Sequence, residues 1–334
     1  MRPSFHPRLI NGPFDDPGLF IPLTYRKQAL LIDLGDLGNL SAGDILKISH
    51  IFVTHTHMDH FVGFDRVLRL MLGRPKNLHL FGPPGFIQNV EAKLRAYTWN
   101  LVRNYLEALT VTVTEIRSKY CLTQTFGCQS GFAPEGEVAR TESAAVIHRE
   151  PALQVRTALL DHQIPCLAFS VQERFHINIH KARLEALDLA VGPWLNAFKS
   201  QLFSGIDPQT PVEMPPSAFL SGTRSYTVGG LAEKIACITP GQKVAYVADV
   251  VHSPDNEEKI ISLAQGADHL YIEAAFLDEH RNIAQAKYHL TARQAGAIAR
   301  RAGVRQMTVF HHSPRYMDQA QMLELEARRA FQGG

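Results

Sequence analysis

Apolar positions along the chain follow two periods in alternation, and that alternation predicts an α/β protein. Ala29-Leu30-Leu31-Ile32 is an unbroken apolar run closed by Asp33 and Gly35, the pattern of a buried strand ending in a turn. Ile51-Phe52-Val53 is a second such run, and over residues 61–72 the apolar positions then recur at helical spacing. Residues 77–81 read as a strand, residues 86–109 as helical spacing with Lys93, Arg95 and Arg103 between the apolar positions, and residues 109–116 as a half-exposed strand. Gly127, Gly131, Pro134 and Gly136 mark residues 118–137 as the stretch expected to be least regular. Strands are predicted over 153–160, 163–171, 242–249 and 306–310, and a helix runs to Ala302. Two short helices, 181–189 and 194–203, flank Gly192-Pro193, and the Pro- and Gly-rich first thirty residues read as turns leading into an edge strand.

Between the strand at 51–53 and the helix after it lies His55-Thr56-His57-Met58-Asp59-His60, three histidines and an aspartate within six residues. Imidazole and carboxylate are the ligands that suit zinc and other first-row divalent ions. His55 and His57, two apart, can face one ion, and Asp59 and His60 can face a second. A two-metal site, with ions roughly 3.5–4 Å apart, also needs a bridging ligand from elsewhere in the chain.

Composition narrows the setting. Hydrophobic content of 45% and charged content of 20% are those of a globular protein, and the formal net charge of +2 is too small to announce a nucleic-acid binder by field alone. No apolar run approaches the length of a membrane span or a signal peptide, so no membrane partner and a cytoplasmic setting are expected. Cys121, Cys128, Cys166 and Cys237 form no C-x-x-C pair; buried free thiols are the first reading and a Cys121–Cys128 pair the second.

The histidine loop and its flanks, from Lys47 through the motif to Gly63-Phe64, resemble the metallo-β-lactamase superfamily and within it ribonuclease Z, the tRNA 3′-end endonuclease. The resemblance runs from about Leu30 to Tyr316. It implies one domain over 1–334 with a four-layer αβ/βα sandwich, two divalent ions (zinc, with manganese or iron as alternatives), a phosphodiester substrate such as RNA, and a homodimer as one assembly. His162 falls on the histidine of the third motif, and Asp249 on the aspartate that bridges both ions. His311 falls on the ligand of the T-H-x-S-x-R-Y pattern, although spacing alone leaves His311 and its neighbour His312 open. The implied ligand set is therefore His55, His57, His162 and Asp249 on one ion, and Asp59, His60, Asp249 and His311 on the other. Asp33 matches the motif-one aspartate, to which we assign a supporting role.

Two cations lower the pKa of a shared water, Asp59 can orient the resulting hydroxide and accept a proton, the resemblance makes His289 an acid or oxyanion stabiliser on the leaving-group side, and Glu273 can orient His289. The sequence also departs from the family. Met58 replaces glycine, and Tyr25-Arg26-Lys27 stands where the P-x-K-x-R-N loop belongs. The resemblance makes Gly192-Pro193 the remnant of a tRNA-binding arm, and the segment where that arm belongs, about 172–226, is nearly charge-balanced. Hydrolysis of a small ester or thioester, or a non-hydrolytic metal or redox role, stands as the alternative.

Overall fold

The computed structural model describes residues 5–23 and 27–334, so Tyr25 and Arg26 of the would-be basic loop lie outside the described residues. Eight strands follow one another in chain order across the first sheet: β1 (Arg8–Leu9), β2 (Leu19–Pro22), β3 (Ala29–Ile32), β4 (Ile48–Phe52), β5 (Lys76–Gly82), β6 (Leu109–Ile116), β7 (Tyr120–Gly127) and β8 (Pro134–Glu142). Strands β3 to β6 are parallel and the flanking pairs antiparallel. The chain continues through β9 (Val146–Arg149), β10 (Leu153–Asp161), β11 (Pro165–Glu173), β12 (His176–Ile179), β13 (Ala236–Thr239), β14 (Lys243–Val247), β15 (His269–Glu273) and β16 (Gln306–Phe310). The second sheet has the order β16-β15-β14-β11-β10-β9, while β12 and β13 pair by themselves. Parallel strands are covered on both faces and so read as continuous apolar runs. That is why β3 and β14 were legible: all four residues of β3 are buried, as are Val244 to Val247.

Helix Phe64–Met71 lays Phe64, Val67, Leu68 and Met71 on the first sheet, and helix Phe86–Arg95 adds Phe86, Ile87, Val90 and Leu94. Each such side chain contributes about 1.5–3 kcal/mol over leaving it exposed. Helices Pro254–Ala264, Ala292–Arg301 and Ala320–Gln332 cover the second sheet, with Ile260, Ile298, Leu323 and Ala327 in one core. Between the sheets, the Phe52 and Phe169 rings lie 5.5 Å apart, and Tyr246 donates its hydroxyl to Asp33. The layers run helix, sheet, sheet, helix, the expected αβ/βα sandwich.

Contacts divide the chain into two compact units. The smaller includes residues 148–155 and 171–242, and so takes in the whole 172–226 segment. It has its own core of Leu184, Trp194, Phe198 and Leu231. The larger includes residues 5–147, 156–170 and 243–334, and it holds every candidate site residue. Among the described residues, no helix is long and apolar enough to cross a membrane.

Two local expectations fail. The helix predicted over 86–109 stops at Arg95, and only a short 3₁₀ turn, Val102–Asn104, follows before β6. Trp99 donates its Nε1 proton to the Leu94 carbonyl (2.8 Å) and packs on Phe132 at 4.8 Å, so it is half-buried from a loop, while Tyr97, Leu101 and Leu106 stay exposed. The stretch 118–137 is not irregular either, because β7 pairs with β6 from Gly127 to Cys121 and β8 pairs with β7. All nine β8 residues are exposed, so no hydrophobic alternation marks that strand. All four cysteines are free; the strand between Cys121 and Cys128 spans roughly 20 Å, well beyond disulfide reach.

Gly63 sits where the metal loop turns into its helix, its N–H donated to the Leu34 carbonyl at 2.7 Å. A Cβ there would overlap the Gly35 carbonyl and stand 2.8 Å from Leu37 Cγ. Gly63→Ala is therefore expected to destabilise the fold by about 1–3 kcal/mol. Thermal unfolding checks this, and an unchanged Tm contradicts it.

Candidate metal centre

The side chains that carry chemistry stand where strands end. Asp33 follows β3, the loop His55–His60 follows β4, His162 turns out of β10, Asp249 lies just past β14, Glu273 closes β15 and His311 follows β16. Ligand sites of parallel sheets form outside the carboxyl ends of the strands for the same reason, since loops can diverge there. Asp33, Asp249 and His311 have φ of 59°, 43° and 59°. Non-glycine residues hold such a conformation at a cost of order 1–3 kcal/mol, and they do so mainly where function requires a sharp exit from the strand.

His55, His57, His162 and Asp249 each bring one donor atom to within 4.8 Å of the others, and so do Asp59, His60 and His311. Asp249 joins the two groups. Its Oδ2 is 3.6 Å from His55 Nε2 and 3.5 Å from His162 Nε2, and its Oδ1 is 3.5 Å from His60 Nε2 and 3.0 Å from His311 Nδ1. Asp59 lies 3.2 Å from His311 Nε2 and 3.5 Å from His60 Nε2.

A metal fits this arrangement on two counts. His55 Nε2, His60 Nε2, Asp249 Oδ1 and His311 Nδ1 are buried without a hydrogen-bond partner among the described residues, and each such group costs about 1–3 kcal/mol if left unmet. The donors are nitrogen and carboxylate oxygen, the set that divalent first-row ions take.

Residues behind the cluster fix which nitrogen His55, His60 and His162 present. Asp33 Oδ2 is 2.9 Å from His60 Nδ1, and it accepts from the hydroxyls of Thr54 (3.0 Å) and Tyr246 (3.1 Å). Asp33 Oδ1 accepts the Thr54 N–H at 2.8 Å. His60 is thereby held by Nδ1 and presents Nε2. His162 donates Nδ1 to the Tyr288 carbonyl at 2.8 Å, and His55 Nδ1 faces Thr54 Oγ1 at 3.1 Å. The supporting role assigned to Asp33 matches these contacts. Thr54, Tyr246 and the Tyr288 carbonyl were not anticipated: Tyr246 is hidden in an apolar run, and a backbone carbonyl has no sequence signature.

Burial, followed by the charge of His60, pushes the His55 pKa down to about 2, so it stays a neutral donor. Burial opposes ionisation of Asp59, yet its hydrogen bond to His311 and the charges of His60 and His311 bring the net value down to about 2. Burial also opposes a charge on His60, but Asp249 and Asp33 raise its pKa well above the ordinary value. The same carboxylates that draw a proton there would draw a metal cation.

His289 stands beside the cluster, its ring centroid 5.1 Å from that of His162 and 5.6 Å from that of His311. Its Nδ1 is 2.8 Å from Glu273 Oε2. Glu273 Oε1 accepts from the N–H groups of Val250 (2.6 Å) and Leu290 (3.4 Å), so this buried carboxylate is fully engaged. Burial lowers the His289 pKa, but Glu273 overrides it and lifts the value to about 9. A cleft of about 260 Å³ opens here, lined by Asp59, His289 and His311 together with Phe14, Asp16 and His312. A larger depression of about 710 Å³ beside Arg66 and Trp99 contains none of the candidate ligands.

No family model matches the chain. It is 30% identical over 290 residues to a ribonuclease Z of Treponema pallidum, covering 85% of this chain and 76% of that one. It is 29% identical over 292 residues to a ribonuclease Z of Deinococcus radiodurans, covering 86% and 83%. Among solved structures, the metallo-beta-lactamase fold protein YhfI from Bacillus subtilis matches 98% of this chain and 95% of its own, with a TM-score of 0.54 and 14% identity. Human tRNase Z, short form, matches 94% and 93%, with a TM-score of 0.51 and 16% identity. The structures share the fold, and the sequence relatives extend over most of both chains. With the histidine and aspartate cluster at its strand ends, the chain belongs to the ribonuclease Z family and is a metal-dependent phosphodiesterase of that branch.

Proposed function

We propose that the chain hydrolyses phosphodiesters with a pair of divalent ions, zinc in the first instance. His55, His57, His162 and Asp249 hold one ion, and Asp59, His60, Asp249 and His311 hold the other. The position of Asp249 carries this reading, because its two oxygens face separate sets of imidazoles. Bound there, the ions supply Lewis-acid polarisation and a water of lowered pKa. Asp59, ionised and 40% exposed at its side chain, orients the attacking water and accepts its proton. His289 is tied at Nδ1 to Glu273 and donates a proton from Nε2 to the departing oxygen.

Nearby cations lower the pKa of His289, so about 9 is its ceiling. The proton needed by the leaving group is present below that pKa and lost above it, so kcat/KM should fall with rising pH along a limb no higher than about 9. Glu273→Gln removes the charge that raises His289 and should move the limb to lower pH. The shift should be plain with an alkyl diester, whose alkoxide needs a proton, and small with a p-nitrophenyl diester. A limb that stays in place with the alkyl diester contradicts the assignment.

Small phosphodiesters are the substrates we expect to turn over most readily. A protein gripping tRNA must neutralise many phosphates. Between residues 171 and 242, six cations (Arg174, Lys181, Arg183, Lys199, Arg224, Lys234) meet six anions (Glu173, Glu185, Asp188, Asp207, Glu213, Glu233). Arg224 is also within 3.4 Å of Asp188. The names of the relatives favour RNA as the second reading. Cleavage of a 3′-extended tRNA at physiological salt, set against bis(p-nitrophenyl) phosphate at equal enzyme, tests the choice. Site-specific release of the 3′ trailer as the faster reaction overturns the small-diester reading.

A further inference from the structure

The cleft beside the metal centre has a wall that the mechanism does not use. His312 is 4% exposed and donates Nδ1 to the Ala274 carbonyl at 2.9 Å, which leaves Nε2 as a lone-pair acceptor. That Nε2 is buried, has no hydrogen-bond partner among the described residues, and belongs to a residue that lines the cleft. The Phe14 ring meets His312 edge-on at 5.4 Å, and the His312 N–H is donated to the Pro13 carbonyl at 2.7 Å. Asp15 and Asp16 continue the same wall, and Asp15 is fixed by the Gly12 N–H at 3.1 Å. The leaving-group acid His289 and Lys287 complete the lining used here, and Lys287 supplies positive charge for the phosphate.

Resting on the phosphodiesterase reading above, we propose that His312, Phe14, Asp15 and Asp16 form a subsite for the leaving alcohol, and that this alcohol carries a primary ammonium group. An imidazole lone pair and two carboxylates are all acceptors, and the aromatic ring attracts cations. Together they call for a positively charged donor. A primary ammonium offers three N–H groups, whereas another phosphate, such as the next one along a nucleic acid, would meet two like charges. Hydrolysis at this position forms a P–O bond to the water oxygen and breaks the P–O bond to the amino alcohol. The water proton passes to Asp59, and a proton from His289 ends on the departing oxygen.

The test uses the full-length, metal-loaded protein with methyl 2-aminoethyl, methyl 2-hydroxyethyl and methyl propyl phosphate, followed by release of methyl phosphate. The aminoethyl diester should exceed the propyl diester in kcat/KM by about tenfold or more, the size of a hydrogen bond to a charged group. His312→Asn keeps an N–H for the Ala274 carbonyl but places no acceptor where Nε2 stood, and Asp16→Asn loses the charge; each should bring the ratio towards one. Calorimetric affinities for 2-aminoethyl and propyl methylphosphonate give the same comparison without turnover. Equal affinities, or hydroxyethyl and aminoethyl diesters processed alike, overturn the ammonium subsite even if bis(p-nitrophenyl) phosphate is hydrolysed. Absence of turnover on every diester by protein that holds its metals overturns the phosphodiesterase reading instead, and the phosphonate affinities still decide the subsite.

Discussion

Asp249→Ala is expected to empty both halves of the metal centre at once. The carboxylate is 2% exposed, and its oxygens lie 3.0–3.6 Å from four imidazole nitrogens in two groups. Without it, both groups lose their shared anion: the first keeps only histidines, and the second keeps Asp59 alone to offset a dication. Elemental analysis should show metal falling from about two ions per chain towards none, since that carboxylate is the ligand a two-metal site shares. Turnover should drop by about 10⁴ or more, beyond the usual cost of one proton acceptor. His162→Ala is the contrasting variant. It removes a ligand from one group only, and its ring is held by the Tyr288 carbonyl rather than by the second group, so it should lose one ion and keep the other. Equal metal loss in the two variants would count against Asp249 as the bridge.

Asp59→Ala is expected to be nearly as damaging to turnover while sparing the fold. Asp59 lies at the mouth of the cleft with its side chain 40% exposed, so truncation leaves no buried hole. His311 and His60 hold it ionised, so it can accept a hydrogen bond from the attacking water. Loss of a positioned proton acceptor costs about 10²–10⁴ in rate. Asp59→Asn, which keeps an oxygen but cannot take the proton, should fall as far in kcat while retaining more metal. A variant that binds two ions and turns over near the wild-type rate would remove Asp59 from the mechanism.

The strand ends were the legible part of this chain. Buried parallel strands announce themselves as apolar runs, and the residue that breaks each run, such as Asp33, Asp249 or His311, is the one the fold delivers to the site. Local pattern alone could not show that Asp249 and His60 meet across two sheets, since nothing near either residue encodes that distance; the family motifs supplied it. The pattern was silent where exposure or loop burial decides. Strand β8 is exposed along its whole length, and Trp99 is half-buried as a loop residue although its neighbours keep helical spacing. Spacing offers His312 only as the alternative to His311 in the ligand set. Its buried, unpartnered nitrogen becomes visible once Phe14 and Pro13 are seen packed against it.

The most direct test of the account is anomalous scattering from crystals of the metal-loaded protein, recorded on either side of the zinc absorption edge. The account predicts two peaks flanking Asp249, one within ligand distance of His55, His57 and His162 and the other of Asp59, His60 and His311. A single peak at full occupancy, or two peaks neither of which touches Asp249, would contradict it.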